Sequence, residues 1–347
     1  MKRAILVGCG AMAKGWIEAL TTAPELLGRV ELVGLCDVDL AAAERMRAAF
    51  QLDTAQVGTD LPAMLATLKP DILLDVVIPA ARHSVVTTGL SHGCHVLSEK
   101  PMAASLTEAE DLVAKARAAH RIHAVTQNRR YVPGIRRIRE AITSGVLGRL
   151  TELHADFFVG AHFGGFREQM DHVLLLDMAI HTFDAARFMA GQQPLAVYCH
   201  ETNPPGSWWQ AGASARAIFE MSNGVVFCYR GSWAAQGANT SWESAWRVVG
   251  SEGTLLWDGL ETMTAHRVSG TEGFFRPLTP IDLPEPALVE DTLGHRSVLR
   301  RFLTAVETGT APETTGADNI RSLAMVFGAI HSAETGQRQP IAQRSLP

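Results

Sequence analysis

The segment Gly8-Cys9-Gly10-Ala11-Met12-Ala13 limits the fold more than any other stretch of the chain. It reads G-x-G-x-x-A. It follows a short apolar run, Arg3–Val7, and opens a run with helical spacing, Met12–Thr21. In that context the first glycine permits a tight turn. The second lets backbone approach a pyrophosphate, and the small third residue lets helix and strand pack closely. An anion then sits on free N–H groups at the helix N-terminus. The pattern repeats downstream. Strands are predicted at Arg3–Val7, Val30–Cys36, Ile72–Ile78, His95–Ser98 and His123–Thr126, each rich in Val, Ile or Leu as a strand buried on both faces should be. Between them Met12–Thr21, Leu40–Phe50, Leu61–Leu68, His83–Ser91 and Leu106–Ala119 carry apolar residues three and four apart. Alternating βα units predict a parallel, doubly wound α/β sheet.

The rest of the chain reads as α+β with a mainly antiparallel sheet. A helix is predicted at Tyr131–Thr143. Strands follow at Leu150–Val159, Val197–Thr202, Ala213–Met221, Val225–Trp233, Ser244–Val249, Thr254–Trp257 and Met263–Val268. Ser222-Asn223-Gly224 is a hairpin signal. Leu174–Met189 is a helix ending at Gly191, and Val289–Glu307 and Asn319–Thr335 are two closing helices. Pro277–Pro286 reads as a surface connection. The boundary falls near residue 126, giving a dinucleotide-binding domain over 1–126 and a second domain over 127–347.

Length and composition agree with two domains: 347 residues, 47% hydrophobic, 19% charged and a net charge of −5. They exclude a disordered chain, a collagen and a small disulfide scaffold. No basic domain marks a nucleic-acid binder. Five cysteines, an odd number without C-x-x-C, fit a reducing cytoplasm. The N-terminus resembles a weak signal peptide, but Gly8 and Gly10 interrupt it and it reads as a strand. No run of 18 apolar residues is present, so no membrane span is expected.

Asp37, at the end of the second strand, strengthens the dinucleotide reading. A carboxylate there hydrogen-bonds adenosine ribose hydroxyls and repels a 2′-phosphate, which predicts NAD over NADP. Arg45 lies within the next helix, too far along to reverse that preference. Cys9 is either a thiol with lowered pKa near a helix N-terminus or a small filler residue.

Ser98-Glu99-Lys100-Pro101 follows the strand His95–Ser98. With the N-terminal glycine motif, Ile78-Pro79 followed by His83, Gly93-Cys94-His95-Val96, Asn128-Arg129-Arg130-Tyr131 and Asp177-x-x-x-His181-x-x-Asp184, the chain resembles the Gfo/Idh/MocA oxidoreductases over essentially its whole length. The resemblance implies a Rossmann domain, then an α/β domain with a large open sheet, an active site in the cleft between them, and homo-oligomers formed through sheet faces. Two departures stand out. Ile78 occupies a position where the family usually has Thr, and Val173–Leu176 replaces a run where glycines are common.

Lys100 is the first catalytic candidate. Pro101 fixes the chain beside it, and in the resembling enzymes this lysine hydrogen-bonds the reacting oxygen, where an ammonium stabilises alkoxide charge. Asp177 and His181 share a helix face. His181 is the expected general base, with an ordinary pKa suited to proton transfer near neutrality, and Asp177 holds a substrate hydroxyl or tunes His181. Asp184 orients a neighbour or braces the helix. The expected cofactor contacts are Gly8, Gly10, Ala11, Met12, Asp37, Pro79, His83, Glu99, Lys100 and Asn128. The expected substrate contacts are Lys100, Arg129, His172, Asp177 and His181; for Arg129 and Arg130 a charged hinge is the competing reading. No metal is expected, because neither Asp177/His181/Asp184 nor His92/Cys94/His95 is supported by zinc spacing elsewhere.

Six of the seven tryptophans fall between Trp208 and Trp257. Indoles suit sheet cores, subunit interfaces and stacking on sugars. His162, Arg167 and His172 precede the catalytic helix and are expected to border the cleft. The expected activity is hydride transfer between a secondary alcohol of a sugar, polyol or cyclitol and the nicotinamide. The alternatives are a glycosidase working by transient oxidation and a non-catalytic sugar-sensing regulator.

Overall fold

The computed structural model of the chain describes residues 1–286 and 294–341. Contacts divide them into two units. One holds Met1–Asn128 with the described residues of Asp291–Ile320; the other holds Arg129–Glu290 and Arg321–Pro347 as far as they are described. A single cut near residue 126 therefore misses the return of the later segment to the first unit. The helix His295–Thr308 packs there against the first helix of the chain.

In the first unit strands and helices alternate: β1 (Lys2–Val7), α1 (Ala11–Thr22), β2 (Val30–Cys36), α2 (Leu40–Ala49), β3 (Gln56–Gly58), α3 (Leu61–Leu68), β4 (Ile72–Asp75), α4 (Pro79–Ser91), β5 (His95–Ser98), α5 (Leu106–Ala118) and β6 (His123–Val125). The six strands are parallel in the order β3-β2-β1-β4-β5-β6. Ala4, Ile5, Leu6, Ile72 and Leu73 on the two central strands are fully buried, as a sheet covered on both faces requires. The order reverses between β1 and β4. In such sheets the crevice beyond the strand C-termini at this reversal takes the ligand. Side chains of Asp39, Asp60 and Ser105 cap α2, α3 and α5. The helices that start at the reversal, α1 and α4, have no side-chain cap, which leaves backbone N–H groups turned toward that crevice. The expected strand over Ile72–Ile78 stops at Asp75, because Pro79 already opens α4 and the chain must leave the sheet before it. The three residues of β3 are too few to show a period.

The second unit contains α6 (Pro133–Thr143), a nine-stranded sheet and a long helix beneath it. The strands are β7 (Leu150–Phe158), β8 (Pro194–Thr202), β9 (Ser214–Met221), β10 (Val226–Ser232), β11 (Ala245–Gly250), β12 (Gly253–Trp257), β13 (Met263–Val268), β14 (Leu278–Pro280) and β15 (Gln339–Pro340), ordered β14-β13-β12-β11-β7-β10-β9-β8-β15. All pairs are antiparallel except β7 with β10. The β9–β10 hairpin turns at Ser222–Gly224, with Asn223 at φ 58° and Gly224 at φ 74°. The Pro-rich stretch supplies the edge strand β14, which is exposed throughout and carries no burial pattern to announce it.

The helix predicted at Leu174–Met189 begins with a π turn, Leu174–Ala179, continues as α7 (Ile180–Ala190), and stops at Gly191 in the left-handed region. Phe183 on α7 meets Phe219, Phe227 and Tyr229 from the sheet, with ring centroids 4.8, 6.1 and 5.2 Å away. Asp184 is fully buried and accepts hydrogen bonds from Arg130 Nε (2.7 Å), Arg130 Nη2 (2.6 Å) and Ser322 Oγ (2.6 Å). It braces α7 against the segment that opens the unit. Of the predicted closing helices, His295–Thr308 and Gly316–Thr335 are observed, while 289–293 of the first lie outside the described residues.

Candidate active site

The glycine loop joins β1 to α1. Gly8 has φ 94°, and a Cβ there would stand 2.8 Å from the carbonyl carbon and oxygen of Val76 and 2.9 Å from the nitrogen of Val77. The close approach of β4's exit to β1 therefore permits no side chain. At Gly10 a Cβ would meet nothing within 4 Å, so the loop opens onto free space where a ligand's backbone contacts belong. Ala13 is fully buried under the helix. Ala11 and Met12 are the first residues of α1, and Met12 is exposed.

Asp37 stands directly after β2. Its Oδ2 accepts from the backbone N–H of Cys9 (2.6 Å) and its Oδ1 from that of Asp39 (2.9 Å). Two backbone donors thus fix the carboxylate against the glycine loop at the crevice rim. Arg45 is exposed and pairs with Asp39 at 3.2 Å. Cys9 is buried, and burial, followed by the Asp37 charge, pushes its thiol up to about 12. Burial of the side chain accords with the filler role.

Glu99 and Lys100 directly follow β5. Glu99 is buried and accepts from Trp16 Nε1 (2.9 Å), His295 Nε2 (3.0 Å) and the backbone N–H of Lys100 (3.1 Å). Burial alone would raise its pKa. The hydrogen bond and charge of His295, the charge of Lys100 and the Trp16 indole outweigh that and hold it below the usual carboxylate range. Lys100 is half-buried, and the Lys100–Pro101 peptide bond is cis. Arg82 secures the next carbonyl: its Nη1 donates to Pro101 O (2.5 Å), its Nη2 to Val77 O (2.5 Å) and its Nε to Asp75 Oδ2 (2.7 Å), all buried or nearly so. The Arg82–Asp75 pair, and Trp16 and His295 as partners of Glu99, are the positioning residues that the sequence reading missed. A signal for the first existed, since Asp75 interrupts an otherwise apolar run and a buried carboxylate needs a partner. His295 lies far along the chain and had none.

Pro79 is the first residue of α4, and Ile78 before it is 60% exposed. Val38, beside Asp37, is 97% exposed. Bare apolar side chains at this rim suit the flat faces of a dinucleotide. His83 is paired with α5: its Nε2 lies 2.6 Å from Asp111 Oδ2. Asn128 follows β6. Its Oδ1 and both amide atoms of Gln127 are buried with no partner among the described residues. Side-chain-free backbone at Gly8 and Gly10, uncapped helix N-termini and these unmet amide groups together fit a dinucleotide.

Within the second unit, Asp177 lies in the π turn and His181 in the first turn of α7, one turn apart; both are half-buried. π turns often mark functional positions. Arg167 Nε donates to Asp177 Oδ2 at 2.9 Å. Arg129 pairs with Glu243 and donates to the carbonyl of Trp242, and Arg130 is buried on Asp184, so neither is a solvated hinge. His172 is paired with two carboxylates. Its Nδ1 lies 2.5 Å from Glu201 Oε2 and its Nε2 3.6 Å from Glu334 Oε1. The bond to Glu201 raises its pKa against the opposing effect of burial, with the charges of Glu201 and Glu334 adding to the rise. Among the tryptophans, Trp209, Trp233, Trp246 and Trp257 are buried, while Trp242 is 46% exposed and Trp208 half-buried. Among the described residues no group of three or more His, Cys, Asp or Glu is placed to hold a metal ion. No helix is long and apolar enough to cross a membrane.

Comparison with known proteins gives this arrangement a class. The description "Oxidoreductase family, NAD-binding Rossmann fold" matches residues 2–127, and "GFO/IDH/MocA C-terminal domain" matches residues 135–256. The chain belongs to the Gfo/Idh/MocA oxidoreductase family. It is 27% identical to a D-apiose dehydrogenase of Paraburkholderia graminis over 344 residues, 96% of this chain and 88% of the other. It is 25% identical to inositol 2-dehydrogenase 2 of Saccharopolyspora erythraea over 338 residues, 97% and 94% of the two chains. A levoglucosan dehydrogenase solved with NADH and levoglucosan superposes with a TM-score of 0.81, covering 99% of this chain and all of that one at 16% identity, a likeness of fold.

Proposed function

We propose that the chain is an NAD-dependent dehydrogenase that oxidises a secondary alcohol of a sugar, polyol or cyclitol. The observation that carries this reading is the setting of Lys100. It sits at the C-terminal end of β5 in the unit that bears the glycine loop, with its own N–H held by Glu99 and the following carbonyl held by Arg82. A lysine so positioned supplies an ammonium to an oxygen gaining negative charge.

In this reading the first turn of α1, with Gly8, Gly10, Ala11 and Met12, holds the pyrophosphate. Asp37 takes the adenosine ribose, and Pro79, Glu99, Lys100 and Asn128 border the nicotinamide half. The two-point anchoring of Asp37 favours NAD, because a 2′-phosphate would meet a fixed carboxylate. His83 is retained only as a helix residue that supports this rim through Asp111. Bound NAD supplies the hydride acceptor. His181 takes the hydroxyl proton, Lys100 stabilises the alkoxide, and Asp177 receives a neighbouring hydroxyl, with Arg129 as a further substrate contact. His172 anchors the start of the helix. Names of relatives, D-apiose dehydrogenase and inositol 2-dehydrogenase among them, support the polyol class.

We place the enzyme in the cytoplasm, in keeping with five free cysteines, and with neither membrane nor nucleic acid as partner. The outer face of the nine-stranded sheet is proposed to pair with a second copy. There Tyr198, Ile218 and Leu256 are exposed in one register row with Cys228, His154 and Arg247. The test is a panel of sugars and polyols assayed with NAD and with NADP. Lys100→Ala and His181→Ala should each lower kcat by about 10²-fold or more. Full turnover in both variants would reject the assignment of roles.

A further inference from the structure

The second unit carries an aromatic surface that the proposed chemistry does not use. From Asp177 the contacts run outward through Arg167, whose guanidinium carbon lies 5.8 Å from the ring centre of Phe163 and 4.9 Å from that of Phe166. Phe163 meets Trp242 edge-on at 6.2 Å and Trp233 at 5.5 Å. Beside them His162 stacks on Trp208, with centroids 3.7 Å apart and an interplanar angle of 19°. Phe163, Phe166 and Trp242 are 49%, 58% and 46% exposed, a concentration of bare aromatic surface that isolated exposed residues do not explain.

The chemistry around this shelf selects its ligand. Both nearby cations are neutralised, Arg167 by Asp177 and Arg129 by Glu243, so the surface calls for no net charge. The backbone carbonyl of Trp242 is held by Arg129, which fixes the loop that presents the indole. Within the shelf the indole N–H of half-buried Trp208 has no acceptor among the described residues. A purely apolar ligand leaves that donor unmet. A ring with one C–H face and several hydroxyls stacks on the aromatics and supplies oxygens, directly or through ordered water.

We propose that Phe163, Trp242 and the His162–Trp208 stack form a second subsite that takes a further ring attached to the oxidised sugar. The substrate class is then a glycoside or disaccharide rather than a free monosaccharide. This rests on the dehydrogenase reading with Asp177 at the oxidised ring.

The test compares free glucose, galactose, mannose and xylose with the disaccharides cellobiose, lactose, mannobiose and xylobiose in the NAD-linked assay of the full-length enzyme, alongside Trp242→Ala and Phe163→Ala. For the wild type, kcat/KM for a disaccharide should exceed that for its parent sugar. In either variant the ratio of the two should fall about fivefold or more. An unchanged ratio in both folded variants, or a wild type with no preference for the disaccharides, would overturn the subsite. If no sugar in either form reduces NAD, the dehydrogenase reading fails by itself. The subsite is then judged by titrating tryptophan fluorescence with the disaccharides. A saturable change that weakens in Phe163→Ala upholds it, and no change overturns it.

Discussion

Gly8 and Gly10 belong to one motif, yet the structure assigns them opposite sensitivities. At Gly8 an added methyl meets backbone of Val76 and Val77 at 2.8–2.9 Å, and the residue must keep φ 94°. The dihedral alone costs an L-residue about 1–3 kcal/mol. The clash adds to it, because a strand exit cannot swing aside as a side chain does, and Gly8 N–H also donates to Cys36 O at 2.8 Å. Gly8→Ala should therefore destabilise the ligand-free protein by about 3 kcal/mol or more. Gly10 sits at φ −80° and ψ −168°, a conformation open to alanine, with nothing within 4 Å of the new methyl. Gly10→Ala should leave stability unchanged or raise it by up to about 1 kcal/mol. It should weaken NAD binding at least about tenfold, because the methyl occupies the space where backbone meets the pyrophosphate. Urea denaturation of both variants without cofactor, with NAD titrated by calorimetry, separates the two effects. A Gly8→Ala protein as stable as wild type, or a Gly10→Ala protein that binds NAD at wild-type strength, would refute the reasoning.

Asp37→Ala should lower the ratio of NAD to NADP efficiency by about tenfold or more, since it removes the anchored charge that opposes a 2′-phosphate; an unchanged ratio in steady-state kinetics places selectivity elsewhere. Asp184→Asn strips the charge partner from buried Arg130 and should cost about 3–5 kcal/mol, measured as a fall in urea midpoint. His123 is buried, and burial, with the Arg82 charge, pushes its pKa down to about 4. Between that value and about 6.5 the unfolded chain binds the extra proton, so stability falls as pH drops through this window. The loss amounts to about 3 kcal/mol and should shrink in His123→Gln; equal acid sensitivity of the two proteins would exclude His123 as its source.

The alternation of βα units was legible because each buried strand and each amphipathic helix announces itself within ten residues. Gly8, Gly10 and Asp37 were legible for the same reason, as turn and strand-end chemistry. What escaped depends on partners distant in sequence. His83 sits at a position that points to cofactor, but its ring pairs with Asp111, 28 residues on. His172 stands just before the π turn that leads into α7, and two carboxylates from elsewhere in the unit take its ring. The contact of His295 with Glu99 crosses 196 residues. The strands β3, β14 and β15 are two or three residues long and owe their pairing to neighbours rather than to their own pattern. The tryptophan cluster read as one group, and only the fold separates buried Trp209, Trp233, Trp246 and Trp257 from the exposed Trp242.

Substrate deuterated at the reacting carbon, drawn from whichever sugar of the panel is turned over, addresses hydride transfer itself. Mass spectrometry of the nucleotide after reaction should find the deuterium in reduced NAD, accumulating in step with the ketone product. Cleavage of the sugar without net reduced NAD, or reduced NAD lacking the label, would contradict a dehydrogenase that carries hydrogen directly from its alcohol.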